Sequence, residues 1–228
     1  MTELSKYTSF RVGGPAQKIV QVSTEAEIIA AIEEAGDSPV LIMGGGTNVL
    51  IADKGFDGTV IRISNNSVQS EVDACSGATL TIGAGEDWDT FVQTTIDRGY
   101  AGLETLSGIP GTVGAAPIQN IGAYGAEIKD HFVSCQAMAI ANQDMKTFQN
   151  EDCHFGYRES IFKNEVKDQY IITSVVFKLT KRNHKINTSY GDILGELEKK
   201  NIQNPSLKDV SNAVIAIRQS TLPDPKEL

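Results

Sequence analysis

The pattern of apolar and polar positions predicts a β-α-β unit at the start of the chain. A short apolar run at Lys18–Val22 predicts a first strand. Thr24 and Glu27 then form a capping box, and Gly36 ends the helix that it opens. The apolar positions of this helix recur at helical spacing: Ile28, Ala31, Ile32 and Ala35. The continuous apolar run Pro39–Met43 predicts a buried strand directly after it.

The rest of the chain predicts a second α+β unit with long connections between strands. Further strands are predicted at 59–63, 69–75, 79–83, 132–140 and 170–179. A helix is predicted from Asp87 to Arg98, with Trp88 on its apolar face and therefore in the core, and two more helices are predicted after residue 190. The loop-like residues 64–67 place a subdomain boundary between 1–64 and 65–228.

Composition and charge narrow the class of protein. A net charge of −9 over 228 residues argues against a nucleic-acid or anionic-membrane surface, since such partners are met by clustered Lys and Arg. Three cysteines (Cys75, Cys135 and Cys153) far apart in the chain fit reduced thiols, and the three histidines show no metal-ligand spacing. The polar N-terminus predicts no signal peptide, and no apolar run reaches the roughly 18 residues of a spanning helix. These features predict a cytoplasmic protein.

Two glycine-rich stretches are candidates for ligand binding. Residues 102–125 are rich in Gly, Ala and Pro but carry few charges, so the backbone N–H groups there are expected to pack against a large ligand with many acceptors. The G-G-G-T-N stretch at 44–48 follows a predicted strand, where α/β units bind phosphate. No Lys follows these glycines as in a nucleotide P-loop, and the residues alone favour a tight turn over a phosphate site.

The stretch F-G-Y-R-E-S-I-F-K at 155–163 holds the candidate for catalytic chemistry. Arg158 lies between an aromatic residue and Glu159, and a guanidinium group keeps its charge when partly buried and presents a rigid fork of donors. It could therefore hold an anion or an enolate, although the residues alone favour a structural Arg paired with Glu159 or with a carbonyl. Without the resemblance described below, each of three further residues has an ordinary structural interpretation. Tyr157 is typical of a packing residue, Tyr190 of a turn residue, and Arg218 of a basic residue that complements the dipole at a helix end.

These motifs together resemble one enzyme family. G-G-G-T-N-V-L at 44–50, the stretch at 102–125 and F-G-Y-R-E-S at 155–160 occur in the order found in the UDP-N-acetylenolpyruvoylglucosamine reductases, the MurB family, in its subgroup with a Tyr-bearing loop insertion. The resemblance implies an α+β, two-subdomain FAD-binding fold of the vanillyl-alcohol-oxidase/MurB type. It also implies FAD as cofactor, NADPH as hydride donor, a UDP-sugar substrate, and a role in peptidoglycan synthesis.

The resemblance also implies site residues. Arg158 matches the catalytic Arg of the family, and Tyr157, Tyr190 and Arg218 match positions near the substrate. The residues implied to bind FAD lie in the two glycine-rich stretches: Gly44, Gly45, Gly46, Thr47, Asn48, Ser107, Gly108, Ile109, Pro110, Gly111, Gly114, Ala115, Ile118, Gln119, Asn120, Gly122, Ala123 and Tyr124. No metal site is implied.

Two departures from the family pattern leave alternatives open. Thr221 stands before L-P-D-P at 222–225, where the family commonly has a Lys suited to the substrate diphosphate. The usual third, substrate-binding domain, with the Ser that donates a proton, is expected to be absent from this chain. The chain could therefore be the FAD-binding part of a reductase, a non-catalytic flavin-binding module, or another FAD oxidoreductase of the same fold.

Overall fold

A computed structural model describes residues 1–73, 77–182, 184 and 186–223. Cys75, the predicted hairpin turn at Ser76 and the last two residues of L-P-D-P lie outside the described residues.

The N-terminal part of the chain forms a four-stranded sheet. Its strands are β1 (Thr2–Glu3), β2 (Pro15–Val22), β3 (Val40–Met43) and β4 (Phe56–Ile63), in the order β1-β2-β4-β3. Both β2 and β3 pair in parallel with β4, whereas β1 pairs antiparallel with β2. Helix α1 (Glu25–Ala35) joins β2 to β3, because strands that run in the same direction need a crossover between them. The predicted β-α-β start is confirmed.

The boundaries in this sheet differ from the predictions in one way. Strands β2 and β4 begin three residues earlier than predicted, at Pro15 and Phe56, and Ala16 already pairs with Phe56. These first residues lack an apolar run, so only the pairing partner reveals them as strand. The 3-10 turn Leu4–Tyr7 was also not predicted, although Leu4 is fully buried against this sheet.

The second sheet has five antiparallel strands. They are β5 (Val68–Asp73), β6 (Gly77–Gly83), β9 (Phe132–Ala139), β10 (Met145–Gln149) and β11 (Tyr170–Thr180), in the order β10-β9-β11-β6-β5. Four of these strands were predicted within a few residues. Strand β10 was missed because Phe148 is its only buried residue, which leaves no alternating pattern to detect.

Helix α2 (Trp88–Asp97) packs its aromatic face on the second sheet. The ring of Trp88 meets those of Phe91 and Phe177 edge-on, each with 5.9 Å between centroids, and its Nε1–H donates to the Leu106 carbonyl at 3.0 Å. Trp88 is 1% exposed, which confirms that it belongs to the core. The predicted end residues Asp87 and Arg98 are the caps of the helix, and Asp87 accepts from the Thr90 amide.

Residues 64–67 connect the two sheets. The Asn65 side chain donates to the Thr173 carbonyl at 2.7 Å and accepts from the Gly85 amide at 2.9 Å, so this linker is fastened to the second sheet. The division into subdomains 1–64 and 65–228 remains a prediction.

Helices α3 (Ile193–Lys199) and α4 (Leu207–Thr221) follow the second sheet and share a small core of their own. Ser206 and Asp209 form a capping box at the start of α4. Among the described residues, no helix combines the length and apolar character needed to cross a bilayer.

Cys135 on β9 and Cys153 are free and fully buried, and the fold brings them together. A hydrogen bond to Cys153, together with burial, raises the pKa of the Cys135 thiol well above its usual range. The described residues contain no group of three His, Cys, Asp or Glu side chains placed to hold a metal ion.

Candidate functional site

The two glycine-rich stretches face each other across a cavity of about 470 Å³. One wall is the turn that follows β3, and the other is the long loop between α2 and β9. Eleven residues that the sequence implied for FAD line this cavity: Gly44, Gly45, Gly46, Thr47, Asn48, Ile109, Pro110, Gly111, Ala115, Ile118 and Gln119.

The two walls approach so closely that side chains are excluded at their nearest points. A Cβ on Gly44 would lie 2.4 Å from the hydroxyl oxygen of Thr112, and a Cβ on Gly45 would lie 3.1 Å from the Gly111 Cα, both on the facing loop. A Cβ on Gly46 would lie 1.9 Å from the carbonyl oxygen of Tyr7, which belongs to the 3-10 turn Leu4–Tyr7 and to neither wall. Gly46 also has a φ of +66°, in the left-handed region that favours glycine. The glycines are therefore required by the shape of the cavity as well as by the turn.

Polar side chains span the gap between the walls. The Thr47 hydroxyl donates to the Pro110 carbonyl at 3.3 Å, and the Asn48 amide donates to the Gln119 side-chain oxygen at 3.1 Å. Thr47, Asn48 and Gln119 therefore lie where the two loops meet, with polar atoms at the cavity wall.

The turn after β3 also presents unused donors. Among the described residues, no acceptor meets the backbone N–H groups of Gly45, Gly46 or Thr47. Consecutive free N–H groups in a glycine turn form a concavity suited to an anion such as a diphosphate.

A smaller cavity of about 210 Å³ adjoins the first and is largely apolar. The two cavities share five residues, and the predicted residue Gly114 lines the smaller one. The shared residues are Ile42, Gly44, Thr112, Ala115 and Ile118. Its other walls come from both sheets, including Val40 of the first sheet and Ile172 of the second. Free N–H groups beside an apolar slot fit a cofactor that carries a diphosphate and flat ring systems, as FAD does.

Six predicted cofactor residues line neither of these two cavities, and three of them, Ser107, Gly108 and Asn120, support the loop. Ser107 is fully buried; its hydroxyl donates to the Glu104 carbonyl at 2.7 Å and is hydrogen-bonded to the Ser211 hydroxyl at 2.8 Å, from which it can accept. The Gly108 amide donates to the Asp89 carboxylate at 2.7 Å. These bonds fasten the loop to α2 and α4, so these residues act on the cavity through the loop backbone.

Asn120, the third of these residues, is the centre of a buried hydrogen-bond network. Its amide nitrogen donates to the Glu127 carboxylate at 3.0 Å and to the Gly156 carbonyl at 2.9 Å, and its oxygen accepts from the Lys129 amide at 3.2 Å. The side chain is therefore fully used within the protein. It ties the glycine-rich loop to the turn that carries Arg158.

The predicted catalytic Arg158 and two of the three predicted substrate residues, Tyr157 and Tyr190, line a third cavity, of about 410 Å³. The short hairpin of β7 (Gly122–Ala123) and β8 (Ala126–Glu127) forms one wall. Six predicted residues line this cavity: Gly122, Ala123, Tyr124, Tyr157, Arg158 and Tyr190. Tyr157 is 80% exposed and Tyr190 is 55% exposed, so both rings stand at the mouth of the cavity.

Arg158 occupies a tight turn between Gly156 and Glu159, whose backbones exchange two hydrogen bonds of 3.1 and 3.2 Å. Its φ of +57° is unusual for Arg, and its guanidinium donates to the Gly122 carbonyl and lies 5.5 Å from the Tyr157 ring centroid. Of the two partners that the residues alone favoured, Glu159 is not the one used, because it contacts Lys163 and Asn164. The expected bond to a carbonyl is present.

Two acidic and two basic side chains line this cavity: Glu127, Asp130, Lys129 and Arg158. The pKa of Glu127 lies below its ordinary value of 4.5. The largest cause is a hydrogen bond from the Lys129 side chain, followed by a hydrogen bond from Asn120 and the positive charges of Lys129 and Arg158. Glu127 is therefore ionised at neutral pH and already paired with Lys129 at 2.6 Å. Arg158 makes no ion pair within 4 Å among the described residues.

Arg218 lies against the glycine-rich loop, and its role near the substrate stays a prediction. It lines none of these cavities, and its Nε donates to the Gly108 carbonyl at 3.0 Å, so that it holds the glycine-rich loop against α4. Thr221, near the end of the same helix, donates its hydroxyl to the Ile217 carbonyl at 2.8 Å. Its side chain therefore caps the helix and supplies no charge.

Several residues of the larger cavity were missed by the sequence reasoning: Ile42, Met43, Val49, Trp88, Thr112, Ala116, Ile121 and Lys163. Most are apolar residues whose patterns indicated core. Lys163 ends a motif that was recognised, but no spacing in the chain links it to glycines more than a hundred residues earlier.

The fold and the two facing glycine-rich loops define an FAD-binding domain, and the family described as FAD binding domain matches residues 16–147. The chain is 55% identical over 225 residues to the UDP-N-acetylenolpyruvoylglucosamine reductase of Flavobacterium johnsoniae, covering 99% of this chain and 66% of that protein. It is 40% identical over 230 residues to the enzyme so named from Ralstonia nicotianae, covering 99% and 67%. The chain belongs to the UDP-N-acetylenolpyruvoylglucosamine reductase family, and its cofactor is FAD.

Solved structures agree with this assignment. The reductase from Thermus caldophilus superposes with a TM-score of 0.71 at 26% identity, over 98% of this chain and 70% of that one. The 6-hydroxy-D-nicotine oxidase of Arthrobacter nicotinovorans gives a TM-score of 0.55 at 16% identity, which is a likeness of fold alone. The predicted α+β fold of the vanillyl-alcohol-oxidase/MurB type is confirmed. The chain spans about two thirds of the length of its relatives.

Proposed function

We propose that this chain is the FAD-binding part of a cytoplasmic reductase that converts UDP-N-acetylglucosamine enolpyruvate to UDP-N-acetylmuramate for peptidoglycan synthesis, with NADPH as hydride donor. The names and identities of the relatives support the substrate and the reaction. The observation that carries the proposal is Arg158, which is held in a strained turn and directs its guanidinium into a cavity beside two tyrosines.

FAD, when bound, supplies hydride transfer, and the protein supplies binding, orientation and electrostatics. The glycine turn at 44–48 and the loop at 109–119 would hold the cofactor, with N–H donors toward its diphosphate and apolar walls toward its rings.

Arg158 would bind the carboxylate of the enolpyruvyl group and stabilise the negative charge that develops next to it. Its bond to the Gly122 carbonyl fixes the guanidinium while leaving other N–H donors of the fork for a ligand. Tyr157 and Tyr190, at the mouth of the cavity, would close over the substrate and exclude water.

The test separates the two halves of the reaction in the Arg158→Ala variant. The flavin absorbance should still bleach when NADPH is added anaerobically, because Arg158 lies outside the larger cavity. Its recovery on adding the enolpyruvyl substrate should slow by about 10²–10³, the usual loss when one charge-stabilising donor is removed. Arg98→Ala, a change of an exposed Arg at the end of α2, is the matched control.

Two outcomes would overturn the proposal. One is an Arg158→Ala variant whose colour recovers with substrate at the unaltered rate. The other is wild-type protein whose colour recovers rapidly with oxygen but never with substrate, which would make the protein an oxidase of the same fold. A wild-type protein that bleaches with NADPH and responds to neither would support the non-catalytic alternative.

A further inference from the structure

Lys163 brings a positive charge to the cofactor cavity from a distant part of the chain. Among the described residues that line the larger cavity, it alone has an ionisable side chain. The glycine turn on the facing wall carries no Lys of its own, and the protein as a whole has a net charge of −9. The diphosphate of FAD carries two negative charges and would bind to a protein that is itself negatively charged overall. Lys163 is the positively charged side chain at the cavity.

The backbone that carries Lys163 is firmly placed. Lys163 ends the 3-10 turn Ile161–Lys163, in which Ile161 and Phe162 are buried and Phe162 packs on the Phe148 ring at 5.2 Å. The Ser160 hydroxyl donates to the Ile118 carbonyl at 2.6 Å, which fastens this turn to the cavity wall itself. The backbone of Lys163 is therefore held in place by the same loop that lines the cofactor site.

The ammonium group has capacity left for a ligand. Its Nζ donates to the Arg158 carbonyl at 2.7 Å and lies 3.6 Å from a Glu159 carboxylate oxygen, and the side chain is 38% exposed. An ammonium has three N–H donors, so at least one remains available beyond these two contacts. Glu159 also accepts from Asn164 at 2.7 Å, so its contact with Lys163 is only one of its interactions.

We infer that Lys163 binds the diphosphate of FAD and supplies the positive charge that the glycine turn lacks. Gly45, Gly46, Thr47 and Lys163 line one cavity, and an anion bound between them could accept from the free N–H groups of the turn and from the ammonium of Lys163. The inference depends on FAD binding and not on the reductase reaction. It can therefore fail or hold whatever happens to the proposed activity.

The test measures the dissociation constant of FAD for the holoprotein and its variants, by recovery of flavin fluorescence on dilution. Lys163→Gln should weaken FAD binding about tenfold and make it less sensitive to salt, because the lost contact is electrostatic. Lys163→Arg keeps the charge and should bind FAD within about twofold of the wild type. Lys167→Gln removes an equal charge from an exposed site four residues away and should change nothing.

Glu159→Gln distinguishes cofactor binding from a structural ion pair. If Lys163 acted only through its contact with Glu159, removing either partner would weaken FAD binding equally, and that result would overturn the inference. We expect Glu159→Gln to bind FAD as well as the wild type or more tightly, because it frees the ammonium. This variant keeps Lys163 and its bond to the Arg158 carbonyl.

Two further measurements show whether the Lys163 ammonium contacts the diphosphate or the ring system of FAD. Riboflavin lacks the diphosphate, so its affinity should be the same for the wild type and for Lys163→Gln. If Lys163→Gln bound FAD normally but lowered the reduction potential of the bound flavin, the ammonium would face the ring system, and the assignment to the diphosphate would be wrong.

Discussion

Replacing Asn120 by Ala should be among the most destabilising single changes near the site. Asn120 is fully buried, and its φ of +44° lies in the left-handed region, which Asn tolerates better than Ala. The change removes all three side-chain hydrogen bonds of the network described above. It leaves the Gly156 carbonyl, the Lys129 amide and the Glu127 carboxylate each short of a partner.

The magnitude follows from these contacts. Each lost hydrogen bond that leaves a partner unsatisfied costs about 1 kcal/mol at the lower end of the usual range. The left-handed backbone costs Ala about 1 kcal/mol more. The free energy of unfolding should therefore fall by about 4 kcal/mol, which for a chain of this size lowers the Tm by about 10 °C.

The assay is thermal and urea unfolding followed by circular dichroism at one fixed, saturating FAD concentration, since a bound ligand adds to stability. Asn120→Gly keeps the backbone conformation and should recover about 1 kcal/mol relative to Asn120→Ala, which separates the backbone cost from the lost hydrogen bonds. Asn142→Ala, at an exposed turn, is the control and should stay within about 0.5 kcal/mol of the wild type.

A loss below about 1 kcal/mol for Asn120→Ala would refute the reasoning, because the network could then be satisfied without its centre. A full loss in Asn120→Ala with none in Asn120→Gly would show that the backbone conformation alone matters. In that case the link between the glycine-rich loop and the Arg158 turn would carry little energy.

Two remaining predictions concern other parts of the site. Gly46→Ala should destabilise the protein by several kcal/mol and weaken FAD binding, because the new Cβ would collide with the Tyr7 carbonyl oxygen. Thermal unfolding and FAD titration measure these two effects. Gly195→Ala is the control, because a Cβ at Gly195 has no atom within 4 Å. Glu127→Gln should be less stable than the wild type at pH 7, and the difference should shrink as the pH falls below about 4.5 and be lost once the pH is below the lowered pKa of the folded state. The reason is that the lowered pKa of Glu127 stabilises the folded state only while the carboxylate is ionised, so a difference in urea unfolding that is the same at pH 7 and at the most acidic pH at which the protein still folds would contradict it.

The elements that could be predicted are those whose signals are local. Thr24 and Glu27 marked the start of α1, Gly36 marked its end, and the apolar spacing of α2 placed Trp88 in the core. Capping and periodicity depend on residues within one or two turns of each other, so the sequence alone contains them. The glycine-rich motifs were equally readable, because their residue types exclude ordinary helices and strands.

The convergence of these segments depends on tertiary structure. Lys163 enters a cavity walled by Gly45 and Gly111, and Arg218 holds Gly108 rather than lining the cavity of Tyr157. No local pattern encodes such contacts, because they arise from the pairing of strands and the packing of loops between residues far apart in the chain.

The sequence by itself determined the β-α-β start, the antiparallel strands that carry an apolar pattern, and the motifs that place the chain in its family. Only the tertiary structure decided which polar groups serve the loop backbone, as Asn120 does, and which reach a cavity, as Lys163 does. The physical reason is that a side chain's role depends on the partners within about 3 Å of its polar atoms. Those partners come from segments that only the fold brings together.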